Sequence, residues 1–239
     1  MIDLTRPNRN QGMTAQLAAA SEATFFQKVY MWMCGGLALT AVVSYALANS
    51  QAWLSILASS RLAWLFIFAV QIGLVIAINA LINKVSAQVI KGLFLLYSAS
   101  VGMTVSVVLM VYPTDVIAKA FFSTCLIYGA MAAYGLMTKK SLEAWGGFLF
   151  MGLIGLIVAS LINLIFASPF VHYVICWIAV IVFAGLTAYD HQKLRVIHAG
   201  GFANTDMEDK IIIHGSLTLY LDFINLFLAL TRILGAARD

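Results

Sequence analysis

The stretch Leu217-Thr-Leu-Tyr-Leu-Asp-Phe-Ile-Asn-Leu-Phe-Leu228 sets one carboxylate, Asp222, in the middle of an apolar run covering 211–234. A run of that length crosses a bilayer as a helix, which takes about 20 residues for about 30 Å of hydrocarbon. Asp222 has about two turns of apolar helix on either side, and its side chain is too short to reach an interface. It therefore needs a partner, a proton or water. Thr218, Asp222, Asn225, Ala229 and Arg232 follow at spacings of four, three, four and three, which aligns them on one helix face. Leu219, Leu221, Phe223, Leu226, Phe227 and Leu228 flank that narrow stripe. A helix that is apolar nearly all round, with a single polar stripe, belongs at the centre of a bundle.

Outward from this helix the same pattern repeats. Six more apolar blocks precede it, at 29–48, 63–82, 92–112, 116–136, 145–167 and 171–189. Of 239 residues, 62% are apolar and 10% charged, against about 45–50% and about 25% in a soluble domain. That balance argues against a water-soluble enzyme and predicts an all-α integral membrane protein of seven transmembrane helices, since helices satisfy their own backbone within lipid. The formal charge of +4 is spread through short gaps between blocks, which sets orientation and gives no nucleic-acid surface. Cys34, Cys125 and Cys176 lie far apart inside apolar blocks and are expected to be packing residues.

Residues 1–28 form a polar tail with an alanine-rich middle, suited to a helix lying on the membrane surface, and 29–239 form the transmembrane domain. The tail lacks the pattern of a signal peptide and is expected to be retained. Arg6, Arg9, Lys28, Lys84, Lys91, Lys139, Lys140, Lys193, Arg195 and Lys210 fall on the tail side of the seven spans, while Arg61 and Arg238 fall on the other. Positive residues favour the cytoplasm, so the N-terminus is expected inside and the C-terminus outside. Very short links at 113–115 and 168–170 predict that spans three and four, and five and six, are antiparallel neighbours. Ser98, Gly102 and Ser106 in span three, and Gly155 and Ala159 in span five, offer small-residue stripes for close helix approach. The stretch 190–210 is the longest connection and the one large enough to cover an opening.

Few ionisable groups stand within the spans. Lys119 and Arg232 lie near span ends, where a long basic stem carries its charge to the interface. Arg232 is too far along the helix to neutralise Asp222, at about 15 Å for ten residues. Asp190, which ends span six with Thr187 one turn back, is the strongest candidate partner. Two carboxylates in contact cannot both stay ionised cheaply, so they share a proton, and their contact depends on pH. With the proton the pair pins helix six to helix seven; without it two anions repel, and the helices part or admit a cation. The oxygens of Asp190, Asp222, Asn225 and Thr218 are hard ligands of the kind calcium prefers, with the two aspartates as transient ligands. This predicts a proton-controlled calcium path. The competing structural role is a buried acidic pair that fixes helix register. Asp190 lies shallower than Asp222, so contact requires helix six to continue past Asp190, as far as Arg195, or a water-filled inlet. Gln71 and Asn79 in span two could line the same cavity or make interhelical hydrogen bonds. His191 could tune the titration of the pair.

The segments Gly185-Leu-Thr-Ala-Tyr-Asp-His-Gln-Lys193, Leu217 to Leu228, and Tyr97-Ser-Ala-Ser-Val-Gly-Met-Thr104 resemble the signatures of the Bax-inhibitor family, also called transmembrane Bax inhibitor motif proteins. The chain looks most like the bacterial inner-membrane branch, and the resemblance covers nearly everything after the tail. It implies two three-helix layers around a central C-terminal helix, and a pH-sensitive calcium leak latched by the aspartates matching Asp190 and Asp222. The chain departs from the family at His191, where threonine is common. It also lacks the arginine that some members carry in span two to engage the aspartates.

No cofactor and no enzymatic activity are expected: H-E-x-x-H, G-x-S-x-G and P-loop signatures are absent. The expected partners are calcium ions, protons, the lipid bilayer and another membrane protein. A non-conducting scaffold or modulator of other membrane proteins is the alternative. An intramembrane aspartyl protease fits poorly, because Asp222 follows Leu219-Tyr-Leu221 instead of a glycine-rich motif and no proline follows Pro169.

Overall fold

Long apolar runs punctuated by short polar links give eight helices, and no strand, among the described residues. The structure, a computed structural model, describes residues 9–59, 61–200 and 205–237, with side chains described for 16–56, 65–200 and 205–237. The helices are α1 (Arg9–Ala48), α2 (Gln51–Ser59), α3 (Arg61–Leu81), α4 (Ala87–Val111), α5 (Thr114–Met137), α6 (Glu143–Phe166), α7 (Pro169–Ala199) and α8 (Asp206–Ala236). Six of these, α1 and α4 to α8, are long and apolar enough to cross a membrane, and the apolar stretch Leu65–Leu81 of α3 is shorter. Where seven spans were expected, length and composition thus qualify six, with α3 in the place of the second. Helix α1 runs unbroken through residues 28 and 29, and the part of the tail before residue 9 lies outside the described residues.

Helix α8 holds the middle. In its apolar window 67% of residues are buried, against 44% or less in every other span. It packs against α1 and α4 on one side and α5 and α7 on the other, while α3 leans on α4 and α6 leans on α7. The expected pairing of spans five and six holds, since α6 packs along α7. That of spans three and four does not: α4 and α5 are not packed along their lengths. The link after Tyr112 is short, but α8 enters between the two helices, with Gly235 pressed against the Tyr112 ring.

The small-residue stripe of α4 works as expected. Gly102 faces Val43 and the Thr40 carbonyl, which seats α4 closely on α1. At Tyr220 this contact reaches α8: Thr40 Oγ1 donates to the Ser98 carbonyl at 2.8 Å and shares a 2.6 Å hydrogen bond with the Tyr220 hydroxyl. Tyr220 is fully buried. Removing its hydroxyl in Tyr220→Phe is expected to destabilise the bundle by about 0.6 kcal/mol, and by no more than about 1.7 kcal/mol, as read by denaturant unfolding in mixed micelles. The second stripe holds only at Ala159, which packs against the core, since nothing lies within 4 Å of a Cβ built at Gly155. The α6–α7 contact is made instead where Gly146 meets the Tyr189 ring and Gly185 meets Leu149. Cysteine also departs from expectation: Cys176 is buried, but Cys34 and Cys125 are exposed on the apolar surface.

The largest correction concerns 190–210, which is mostly helix. Helix α7 continues nine residues past Asp190 to Ala199, and α8 starts at Asp206. The extension is held by the neighbouring link: the Leu142 amide donates to Gln192 Oε1 at 2.7 Å, Gln192 Nε2 donates to the Lys140 carbonyl at 2.9 Å, and Arg195 donates to the Leu136 carbonyl at 2.7 Å. Arg195 also pairs with Glu22 of α1 at 3.1 Å. Helix α8 begins with Thr205 accepting from the Glu208 amide, and with Asp206, Glu208 and Asp209 in its first turn. This cap and these charges suit a helix N-terminus. Lys91 of α4 pairs with Asp209 at 2.7 Å and fixes that end of α8 to α4.

Candidate functional site

Three helices build the site around Asp222. Helix α7 packs along α8 and carries Asp190, and α5 closes the side where its own stripe Val116, Ala120, Thr124, Tyr128, Ala132 and Gly135 is buried. A Cβ at Gly135 would strike the Ala188 carbonyl oxygen, so α5 and α7 touch backbone to backbone two residues before Asp190. Only glycine permits that approach.

Asp222 is 4% exposed, and Asp190 is half-buried. Their carboxyl groups lie within hydrogen-bond reach of each other. Oδ2 of Asp222 meets no N–H or O–H donor among the described residues. Contact between two carboxyls is a hydrogen bond only when one of them carries a proton, and otherwise it places two negative charges side by side. Lys193, nearly one turn further along α7, is the cation whose charge acts on Asp190. It also lies over the Tyr189 ring, 5.8 Å from the centroid.

The remaining candidates separate. Thr187 is buried and donates to the Phe183 carbonyl of its own helix at 2.7 Å. Thr218 donates to the His214 carbonyl at 3.1 Å, and Asn225 Nδ2 donates to the Leu221 carbonyl at 2.8 Å. Both of these side chains are half-buried, so the polar stripe of α8 is only partly enclosed. Gln71 is away from the pair: its Nε2 donates to the Ser100 carbonyl at 2.9 Å and to Thr104 Oγ1 at 2.7 Å, clamping α3 to α4. Asn79 hydrogen-bonds His214 of α8 at 3.0 Å, about two turns before Asp222. Replacing Gln71 by leucine is expected to loosen α3, read as faster labelling of single cysteines introduced along that helix, while leaving any pH dependence of transport in place.

His191 makes its hydrogen bond to its own helix and not to the carboxyls. It sits in an aromatic cage, its ring 6.2 Å from Phe26, 5.8 Å from Tyr30 and 5.6 Å from Tyr128. Nδ1 lies 2.6 Å from the Thr187 carbonyl, which makes it the protonated ring nitrogen, and Nε2 has no partner among the described residues. Two neighbours of the pair were missing from the sequence reading: Tyr128, whose hydroxyl lies in the field of both Asp222 and Asp190, and Lys193. Tyr128 had a signal, being the single large polar residue in the i, i+4 stripe of small residues on α5.

A buried carboxyl pair inside a bundle of long apolar helices defines a multi-pass membrane protein with an ionisable core. The family model described as "Inhibitor of apoptosis-promoting Bax1" matches residues 22–239. The chain is 45% identical over 216 residues to the inner membrane protein YbhL of Escherichia coli K12, covering 90% of this chain and 92% of that one. It is 39% identical over 239 residues to an uncharacterized protein of Borreliella burgdorferi, covering both chains fully at 100%. A protein of Deinococcus radiodurans, also uncharacterized, is 39% identical over 227 residues, or 95% of this chain and 96% of that one. The chain belongs to the Bax-inhibitor family.

Proposed function

We propose that this protein is a pH-sensitive calcium leak of a bacterial inner membrane, latched by a proton shared between Asp190 and Asp222. The observation that carries the proposal is the fully buried Asp222 carboxyl with the Asp190 carboxyl in hydrogen-bond reach. A shared proton ties α7 to α8. Its loss leaves two adjacent anions in a low-dielectric interior, and this repulsion is relieved by separation or by a divalent cation between the oxygens. Calcium enters as the substrate; the chain's own contribution is two hard carboxylates at the point where α7 and α8 meet.

In this proposal α3 completes seven crossings, and α1, α3, α4 and α5, α6, α7 form two three-helix layers around α8. The contacts of α8 with helices of both groups support that layout. The end of the bundle holding Lys28, Lys91, Arg195 and Lys210 faces the cytoplasm, as expected from positive residues in short connections. The inner membrane is the location named for the YbhL relative. Between Ala63 and Ile82 there is no counterpart of the arginine by which some family members engage the aspartates, and Lys193 is the cation that acts on Asp190.

The test is purified protein in liposomes loaded with a calcium dye. Calcium uptake that rises with pH supports the proposal. A protein that passes no calcium at any pH is a scaffold, and the proposal fails. Cleavage of a membrane peptide, blocked by substituting either aspartate, would make the pair a protease site instead.

A further inference from the structure

The end of the bundle away from Lys91 and Arg195 holds a feature that the aspartate pair does not use. Val111 and Tyr112 ending α4, Pro113 opening α5, His172 and Tyr173 in α7, and Arg232 in the last turns of α8 surround a cavity of about 580 Å³. Arg232 is exposed and lines it beside Cys176, whose thiol lies in the field of the guanidinium charge. A thiol is a weak acceptor, and a guanidinium has five N–H donors, so most of its hydrogen-bonding capacity is unspent. His172 lies within the field of the same charge.

No carboxylate lines this cavity among the described residues. Among the described residues, Asp115 borders an adjoining space of about 370 Å³ and pairs with Lys119 at 3.3 Å. Four helix ends also meet here. The N-termini of α5 and α7 bring partial positive charge and the C-termini of α4 and α8 partial negative charge, so the dipoles offset. The sign of the cavity is left to Arg232, which is positive. The rim is apolar and aromatic: Phe170 is 75% exposed and Val111 66%, with Tyr112 and Tyr173 beside them, as at a membrane–water boundary.

We propose that this cavity is a binding site for a phosphate group, held by the Arg232 guanidinium. The planar fork of arginine matches a phosphate oxyanion in two parallel hydrogen bonds. A volume of about 580 Å³ falls in the range of small-molecule sites and accommodates substituents on the phosphate. A phospholipid headgroup fits with its acyl chains on the apolar rim, and free phosphate offers the same chemistry. The site is independent of the Asp190–Asp222 pair.

The experiment is native mass spectrometry of the full, delipidated chain in neutral detergent, titrated with phosphatidylglycerol and with diacylglycerol of the same acyl chains. The expected result is saturable retention of one phosphatidylglycerol and no retention of diacylglycerol. Arg232→Gln is expected to weaken retention about ten-fold, the size of one charge-assisted hydrogen-bond contact. Arg232→Lys should weaken it less, and Lys119→Gln not at all. Competition with inorganic phosphate assigns the source: displacement at millimolar concentration means that phosphate alone suffices, and no displacement means that the lipid is the ligand. Retention of diacylglycerol equal to that of phosphatidylglycerol, or equal retention by Arg232→Gln and wild type, overturns the proposal. If Arg232→Gln does not fold, the comparison of the two lipids on the wild-type chain still decides it.

Discussion

In liposomes loaded with a calcium dye, Asp222→Asn is expected to abolish the pH response and to lower calcium flux at alkaline pH by about ten-fold or more, the scale of removing one charged ligand from a buried site. The sign follows from the proton. In the proposed latch, wild type holds a shared proton at low pH, with α7 tied to α8, and loses it as pH rises, so flux is expected to rise with pH. An asparagine amide donates to the Asp190 carboxylate at every pH, never repels it, and leaves the latch closed. Asp190→Asn should flatten the profile in the same way. Truncation to alanine should cost more at Asp222 than at Asp190, because Asp222 is fully buried while Asp190 keeps contact with solvent and the Lys193 charge. Flux equal to wild type in both variants, with an unchanged pH profile, would defeat the latch.

The second large effect is expected at Gly135. A methyl group there meets the backbone oxygen of Ala188, which cannot swing aside as a flexible side chain would. Gly135→Ala must therefore push α5 off α7, at a cost of about 1–3 kcal/mol for overpacking. The displaced segment of α7 lies two residues before Asp190, so the variant should also shift the pH profile of calcium flux. Gly129→Ala is the matched control on the same helix, since a Cβ there meets nothing within 4 Å. Denaturant titration in micelles measures both; equal stability of the two variants would show that the α5–α7 approach is not tight.

The centre of the fold was legible in the sequence because its cause is local. One short carboxylate in a long apolar helix has to be buried, and the i, i+3, i+4 spacing around Asp222 names the face. The partner was legible too, since Asp190 is the strongest acidic candidate elsewhere in the spans. What failed was inference from link length and from charge. A short link brings helix ends together but does not decide what lies between the helices, and α8 separates α4 from α5. The run from His191 to Arg195 looked like the start of a loop because it is polar, yet in α7 those side chains bind α5, α1 and the link before α6. Gly155 shows the limit of small-residue spacing, which permits a close contact without naming a neighbour. Gln71 fell to the blander of its two roles because Ser100 and Thr104 of α4 stand opposite it.

The position of α8 also bears on biogenesis. This helix is the last of the described elements to be synthesised, yet α1, α4, α5 and α7 all rest on it. Until α8 is made, the earlier spans have a vacant slot where their shared partner belongs, and a chain cut short before Asp206 would reach the membrane with that slot unfilled. The decisive step of assembly therefore waits for α8, and products truncated before it should be substrates for membrane quality-control proteases.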